Sequence, residues 1–193
     1  MTISKLKLHR DAQSGLVYKD VSHHISLEKE FARYKTHHNE LDNPNYMAYQ
    51  TSIFKSFIEP FVVGEKHLDF GCGEFGPLKQ ISGYDVALYD YFFHPNQSVL
   101  KSTYDTVWLI EVVEHFVEPM VEFERLYNLL DSRGRLLIQT EFMPQTGIEN
   151  WWYLRDETHF SFYDDQVFDY IAKQFGFVII DSNHKNRIVL EKK

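Results

Sequence analysis

The run His67-Leu68-Asp69-Phe70-Gly71-Cys72-Gly73-Glu74-Phe75-Gly76 constrains this chain more than any other stretch. A short apolar run of strand length, His67 to Phe70, breaks into closely spaced glycines. Glycine at such a break lets the backbone turn through conformations closed to other residues and lets a ligand approach bare backbone. A strand that feeds a turn of this kind and then a helix is the general α/β arrangement for holding nucleotide-like groups. The spacing Gly71-x-Gly73-x-x-Gly76 also fits the dinucleotide fingerprint, so the glycines alone do not choose the ligand. Asp69 discriminates better. A carboxylate at the end of the strand attracts an ammonium group and repels a pyrophosphate.

The rest of the chain reads as one α/β unit. Its 193 residues and 44% hydrophobic content suit a single globular domain with a sizeable core. Residues 1–25 form an N-terminal extension in which Lys5-Leu6-Lys7-Leu8 alternates like an edge strand and Gly15 turns the chain into Leu16-Val17-Tyr18. Residues 26–193 form the main domain, with two helices within 26–60 at its start. Ser26 caps the first, through about Lys35, and Asn43-Pro44 opens the second. In that second helix Tyr46, Tyr49, Ile53 and Phe57 recur at helical spacing, and Pro60 stops the run.

Strands are expected at residues 85–89, 104–110 and 135–140, with Asp131-Ser132-Arg133-Gly134 as a turn. Short and long helices are expected at residues 77–81 and 119–130. Ser161-x-x-Asp164 begins a last helix that ends at Gly176, and a closing antiparallel pair follows. The connection from Glu141 to Phe160 holds Trp151, Trp152 and Tyr153; rings this large must be buried somewhere, and a pocket wall or lid is a natural use.

Asp90 stands at the end of the second strand, where a carboxylate can accept both hydroxyls of a ribose, and Tyr91 and Phe92 follow to stack on a base. Glu111 ends the third strand. If it begins a helical turn, Glu114 and His115 lie three and four residues on along one face. His159 in Asp156-Glu157-Thr158-His159 can join them, and such a set can ligate a divalent cation or handle a proton.

Bulk composition narrows the partners. The net charge is -8, which argues against a broad phosphate-binding face and hence against nucleic acid. The single Cys72 excludes an internal disulfide and a cysteine-rich zinc site. No apolar run reaches membrane-spanning length and no secretory signal opens the sequence, so a cytosolic location is the default expectation. The oligomeric state is left open.

Leu-Asp-Phe-Gly-Cys-Gly resembles the first motif of class I S-adenosylmethionine (SAM) methyltransferases, and the likeness continues in that family's order from about Tyr34 to Phe177. The resemblance implies a Rossmann-like fold: a mostly parallel sheet, a C-terminal antiparallel hairpin and a helical N-terminal lid. It implies a cofactor site of Tyr34, His38, Asp69, Gly71, Cys72, Gly73, Asp90, Tyr91 and Glu111, with the amides of Gly71 to Gly73 facing the methionine portion. Similar methyltransferases often carry a cysteine-rich zinc ribbon at the position of residues 1–25. The cysteines are missing here, so a remnant hairpin is expected without the ribbon's function. The family also usually has another strand and helix between Phe92 and Tyr104, where this chain has about a dozen residues.

Glu111-x-x-Glu114-His115 is similar to the motif of small-RNA 2′-O-methyltransferases and of the O-methyltransferases of ubiquinone synthesis. The resemblance implies Glu111, His115 and His159 as catalytic residues. It implies Glu111, Glu114, His115 and His159 as ligands of magnesium, manganese or zinc where a metal is used. The expected function is methyl transfer to a small-molecule acceptor, with oxygen preferred. The alternatives are RNA 2′-O-methylation and a SAM-binding protein that has lost catalysis.

Overall fold

The computed structural model describes residues 7–36 and 39–193. Its centre is a six-stranded sheet. Strands β3 (His67–Phe70), β4 (Val86–Tyr89), β5 (Tyr104–Ile110) and β6 (Leu130–Gln139) run parallel, and β8 (Phe177–Ser182) and β9 (Arg187–Lys192) close it, in the spatial order β4-β3-β5-β6-β9-β8. Strand β9 pairs antiparallel with both β6 and β8. A second sheet joins β1 (Leu8–Arg10), β2 (Val17–Lys19) and β7 (Ser161–Phe162), all antiparallel. It ties the first residues of the chain to the segment after the aromatic connection.

Helices cover both faces of the main sheet, which is why β3 is buried at every position. On one face α5 (Pro119–Asn128) and α6 (Asp165–Phe175) set Phe123, Leu126, Phe168 and Ile171 against Val107, Leu109, Leu136 and Ile138. On the other, α2 (Pro44–Ile53) and the wide turn that follows it place Ile53, Phe57 and Ile58 on Trp108, Leu137 and Val189, with Leu78 of α4 (Pro77–Ser82) beside them. Each such large apolar side chain contributes roughly 1.5–3 kcal/mol by leaving water. Helix α1 (Leu27–Tyr34) lies apart from the sheet, with Phe31 against Phe92 and Phe93.

The local signals act as expected at most boundaries. Ser26 accepts from the Lys29 amide, Asn43 accepts from Asn45 and Tyr46, and Gly176 ends α6 at φ 88°. Three details differ. Pro60 does not stop its helix: a π-type turn, Phe54–Ile58, leads without a break into α3 (Glu59–Phe61), and the run ends at Val62, which turns extended. Asp164, not Ser161, caps α6, and Ser161 instead pairs with Tyr18 as part of β7.

The third is the expected turn at 131–134, which is absorbed into β6 as an irregularity. Strand β5 advances from Tyr104 to Thr106 while β6 advances from Leu130 to Arg135. Arg133 takes a φ of 65°, and a Cβ on Gly134 would lie 3.0 Å from the Tyr104 carbonyl oxygen. Between β4 and β5 the chain has only a short 3-10 turn, Val99–Lys101.

Candidate active site

A cavity of about 850 Å3 opens at the carboxyl ends of β3, β4 and β5. Ligands of open α/β sheets collect at this position. The cavity is walled by α1 and α2 on one side and by the connection after β6 on the other.

The glycine turn forms its floor. Gly71 has φ 81°, and a Cβ there would meet Val112 Cγ2 at 2.5 Å, so both conformation and space require glycine. The amides of this turn are not free donors. Gly71 and Cys72 donate to the Tyr89 carbonyl at 2.7 and 3.2 Å, and Gly73 donates to Asp90 Oδ2 at 3.0 Å. The turn therefore offers bare space rather than the amide cradle expected for it. Asp90 also accepts from the Phe92 and Phe93 amides through Oδ1, at 2.9 and 3.0 Å. Of the roughly four lone-pair sites on a carboxylate, three are taken by the fold, which leaves little room to accept two ribose hydroxyls at once.

Asp69 is 3% exposed and lines the cavity. Burial, and secondarily the charge of Asp90, push its carboxyl up to about 8. Tyr46 and Gln50 of α2 line the same cavity. Tyr91 lies at the rim, 61% exposed, with its ring edge-on to Phe92. Cys72 lines the cavity, and burial pushes its thiol above the usual range.

At the end of β5, Glu111 adopts φ 55°, a left-handed conformation that a glutamate holds only when its surroundings fix it. They do so through a chain of hydrogen bonds. Arg187 Nε donates to Gln139 Oε1 at 2.9 Å, Gln139 Nε2 donates to Glu111 Oε1 at 3.1 Å, and the Tyr153 hydroxyl lies 2.9 Å from Glu111 Oε2. The same hydroxyl reaches Oε1 of Glu114, a residue with no solvent exposure. Burial, and for Glu111 the neighbouring Glu114 as well, raise both carboxyls above their ordinary range.

The two histidines meet edge to face, with ring centroids 5.0 Å apart. His115 Nδ1 lies 2.8 Å from the Thr158 carbonyl oxygen, and His159 Nδ1 lies 2.9 Å from that of Tyr153. A carbonyl only accepts, so each Nδ1 carries the proton and each Nε2 is left with its lone pair. Burial lowers both imidazoles, His159 to about 3 with His115 adding to the effect, so both rings are neutral. Glu114, His115 and His159 each offer one ligand atom, all within 4.8 Å of one another. Glu111 is joined to this group through Tyr153 and through the contact of its own carboxyl with that of Glu114. Tyr34 of α1 sits above, its hydroxyl 3.1 Å from His115 Nδ1 and donating to Glu30 at 2.9 Å.

The structure thus gathers every expected site residue around one cavity except His38, which lies outside the described residues. The aromatic segment divides. Tyr153 is buried and lines the cavity, Trp152 lines it at 59% exposure, and Trp151 turns away to pack on Tyr153 and Phe162. Sequence reasoning passed over Gln50, Gln139 and Glu30. Gln50 had a visible signal, being a polar residue one helical turn after Tyr46 on an otherwise apolar stripe.

No curated protein matches the chain by sequence. Solved structures share its fold. The Burkholderia thailandensis 1,6-didemethyltoxoflavin-N1-methyltransferase, with bound 1,6-didemethyltoxoflavin and S-adenosylhomocysteine, is 14% identical at a TM-score of 0.59, over 96% of this chain and 99% of that one. A SAM-dependent methyltransferase from Archaeoglobus fulgidus is 16% identical at a TM-score of 0.57, over 86% of this chain and 100% of that one. The mitomycin 7-O-methyltransferase MmcR is 8% identical at a TM-score of 0.59, over 79% of this chain and 59% of that one. Residues 44–182, running from the first turn of α2 to the end of β8, match the family described as "Methyltransferase domain", and the chain belongs to that family.

Proposed function

We propose that the protein transfers a methyl group from SAM to an oxygen of a small-molecule acceptor. The single observation that carries this reading is that one cavity holds both Asp69, suited to the ammonium of SAM, and the Glu111, His115 and His159 cluster. Its volume of about 850 Å3 lies within the range of small-molecule sites. SAM supplies a methyl group already activated on sulfur. The residues present hold donor and acceptor in line and take the acceptor's proton as the new carbon–oxygen bond forms and the carbon–sulfur bond breaks. Helices α1 and α2, with Tyr34 over His115, serve as the lid. A small acceptor fits better than RNA, since among the described residues ten carboxyl groups and two cationic side chains line the cavity.

Incubation with SAM and a panel of phenols, catechols and other hydroxylated small molecules tests this. S-adenosylhomocysteine should form with a methyl ether product. Absence of SAM binding by calorimetry would remove the reading.

A specific observation favours a divalent cation as an added component. Glu114, His115 and His159 converge, and each imidazole is oriented by a backbone carbonyl at Nδ1 so that Nε2 is presented. This is the usual outer-shell arrangement of metal-bound histidines. Magnesium or manganese suits a mixed carboxylate and imidazole set, and zinc is also accommodated. Such an ion would supply Lewis acidity toward an acceptor oxygen. Titration with manganese should show one site in the parent protein and at least about tenfold weaker binding in His159→Ala. Equal affinity in the two proteins would refute it.

A further inference from the structure

The cavity contains a buried acceptor that nothing among the described residues satisfies. Gln50, on the face of α2 turned toward the sheet, is 8% exposed, and its Oε1 has no hydrogen-bond partner among the described residues. The Gln50 side chain also hydrogen-bonds Tyr46, one helical turn earlier. The same Tyr46 senses the charge of Asp69, so the three side chains form one corner of the cavity. Asp69 has no hydrogen-bond donor of its own among the described residues. The corner therefore holds a buried amide oxygen without a partner beside a buried carboxyl, and no cation among the described residues pairs with that carboxyl.

An unsatisfied buried acceptor costs about 1–3 kcal/mol, and proteins rarely leave one without a reason. What completes the corner must bring several N–H donors and a positive charge, and a primary ammonium brings three. We infer that Gln50 is a binding residue for the ammonium group of the methyl donor, its Oε1 and the Asp69 carboxylate each accepting one of the three N–H bonds. This rests on the methyltransferase reading above and adds to it a contact from α2. Strand β3, through Asp69, and helix α2, through Gln50, then hold the same group.

The test compares two ligands that differ in this group. S-adenosylhomocysteine carries the ammonium, whereas 5′-methylthioadenosine lacks the amino acid portion and keeps the nucleoside. By calorimetry, Gln50→Leu should weaken S-adenosylhomocysteine about tenfold and leave 5′-methylthioadenosine within about twofold of the parent. Gln50→Glu, which keeps an oxygen acceptor at the same reach, should bind S-adenosylhomocysteine at least as tightly as the parent. Equal weakening of both ligands in Gln50→Leu would mean that the side chain only packs the lid, and would overturn the inference. So would unchanged S-adenosylhomocysteine affinity in Gln50→Leu, or a loss of affinity in Gln50→Glu, which would mean that the amide faces the donor's carboxylate. A parent protein that binds neither ligand refutes the methyltransferase reading itself, an outcome distinct from all of these.

Discussion

The hydroxyl of Tyr153 lies 2.5 Å from Oε1 of Glu114, and the same oxygen is 2.9 Å from Glu111. A phenol has one proton to donate, so it cannot donate to both carboxyls at once. The short contact assigns that proton to Glu114, whose other oxygen has no partner among the described residues. Removing the hydroxyl would take from a fully buried carboxyl the shortest of its hydrogen bonds. Tyr153→Phe should therefore lower unfolding stability by about 1–3 kcal/mol. Urea denaturation with an unchanged slope is the measurement. A variant as stable as the parent would show that Glu114 finds its donor elsewhere.

Much of this site is legible in the sequence alone. Asp69, Asp90 and Glu111 stand at strand ends, and the topology of a parallel sheet brings strand ends to one side whatever the loops do. Gly71 is legible as the residue that ends a strand in a sharp turn, and the fold adds a reason of space, since a side chain there would clash with Val112. What the sequence hides is the use of hydrogen-bonding capacity. Nothing in the letters shows that the amides of Gly71, Cys72 and Gly73 are consumed by Tyr89 and Asp90. Nor do they show that Arg187, on the last strand, reaches Glu111 through Gln139. These are pairings between distant segments with no local signature. The exit of Trp151 from the cavity is hidden for the same reason, since packing on Phe162 follows from where β7 lies.

Asp69 gives the site a pH dependence of defined sign. Its carboxyl is raised from 3.8 to about 8 in the ligand-free fold, chiefly by burial. Between those values the folded protein holds a proton that the unfolded chain releases. Its contribution to stability is therefore full below about pH 4 and declines as the pH rises through about 8. An ammonium placed beside it favours the ionised form and reverses the shift. SAM binding at about pH 7 should then release close to one proton and tighten as the pH rises toward 8. Calorimetry in buffers of different ionisation enthalpy reads the proton count. The release should vanish in Asp69→Asn. A parent protein that releases none would place the ammonium elsewhere.

The two tryptophans should report differently on ligand binding. Trp152 lines the cavity at 59% exposure, so a ligand that covers it changes its solvent contact. Trp151 is packed on Tyr153 and Phe162, outside the cavity wall. Fluorescence should respond to a bound acceptor in the parent and in Trp151→Phe, and should lose most of that response in Trp152→Phe. Equal responses from both single variants would mean that the whole segment moves as one body.

The charge of the cavity sets a preference among acceptors. Among the described residues ten carboxyl groups line it against two cations, and both cations are already matched. Arg125 pairs with Glu122 at 3.0 Å, and the Lys35 ammonium lies over the Phe31 ring, 4.4 Å from its centroid. An anionic acceptor would be desolvated without a free partner, and its repulsion in a partly dry site is larger than the same charges would feel in water. Tyramine, tyrosol and 4-hydroxyphenylacetate share a phenol and a short arm and differ in the charge at its end. In the protein saturated with S-adenosylhomocysteine, tyramine should bind at least about tenfold more tightly than 4-hydroxyphenylacetate, with tyrosol between them. Raising the salt concentration should narrow the gap, because the rim charges are open to screening. Glu30 lies in the wall beside Tyr34, one phenol's width from His115, and burial raises its carboxyl above the usual range. Glu30→Gln keeps the bond to Tyr34 and removes the charge, so it should reduce the preference for the amine while leaving S-adenosylhomocysteine affinity unchanged. Tighter binding of the acid than the amine in the parent would show that the acidic wall does not select the acceptor.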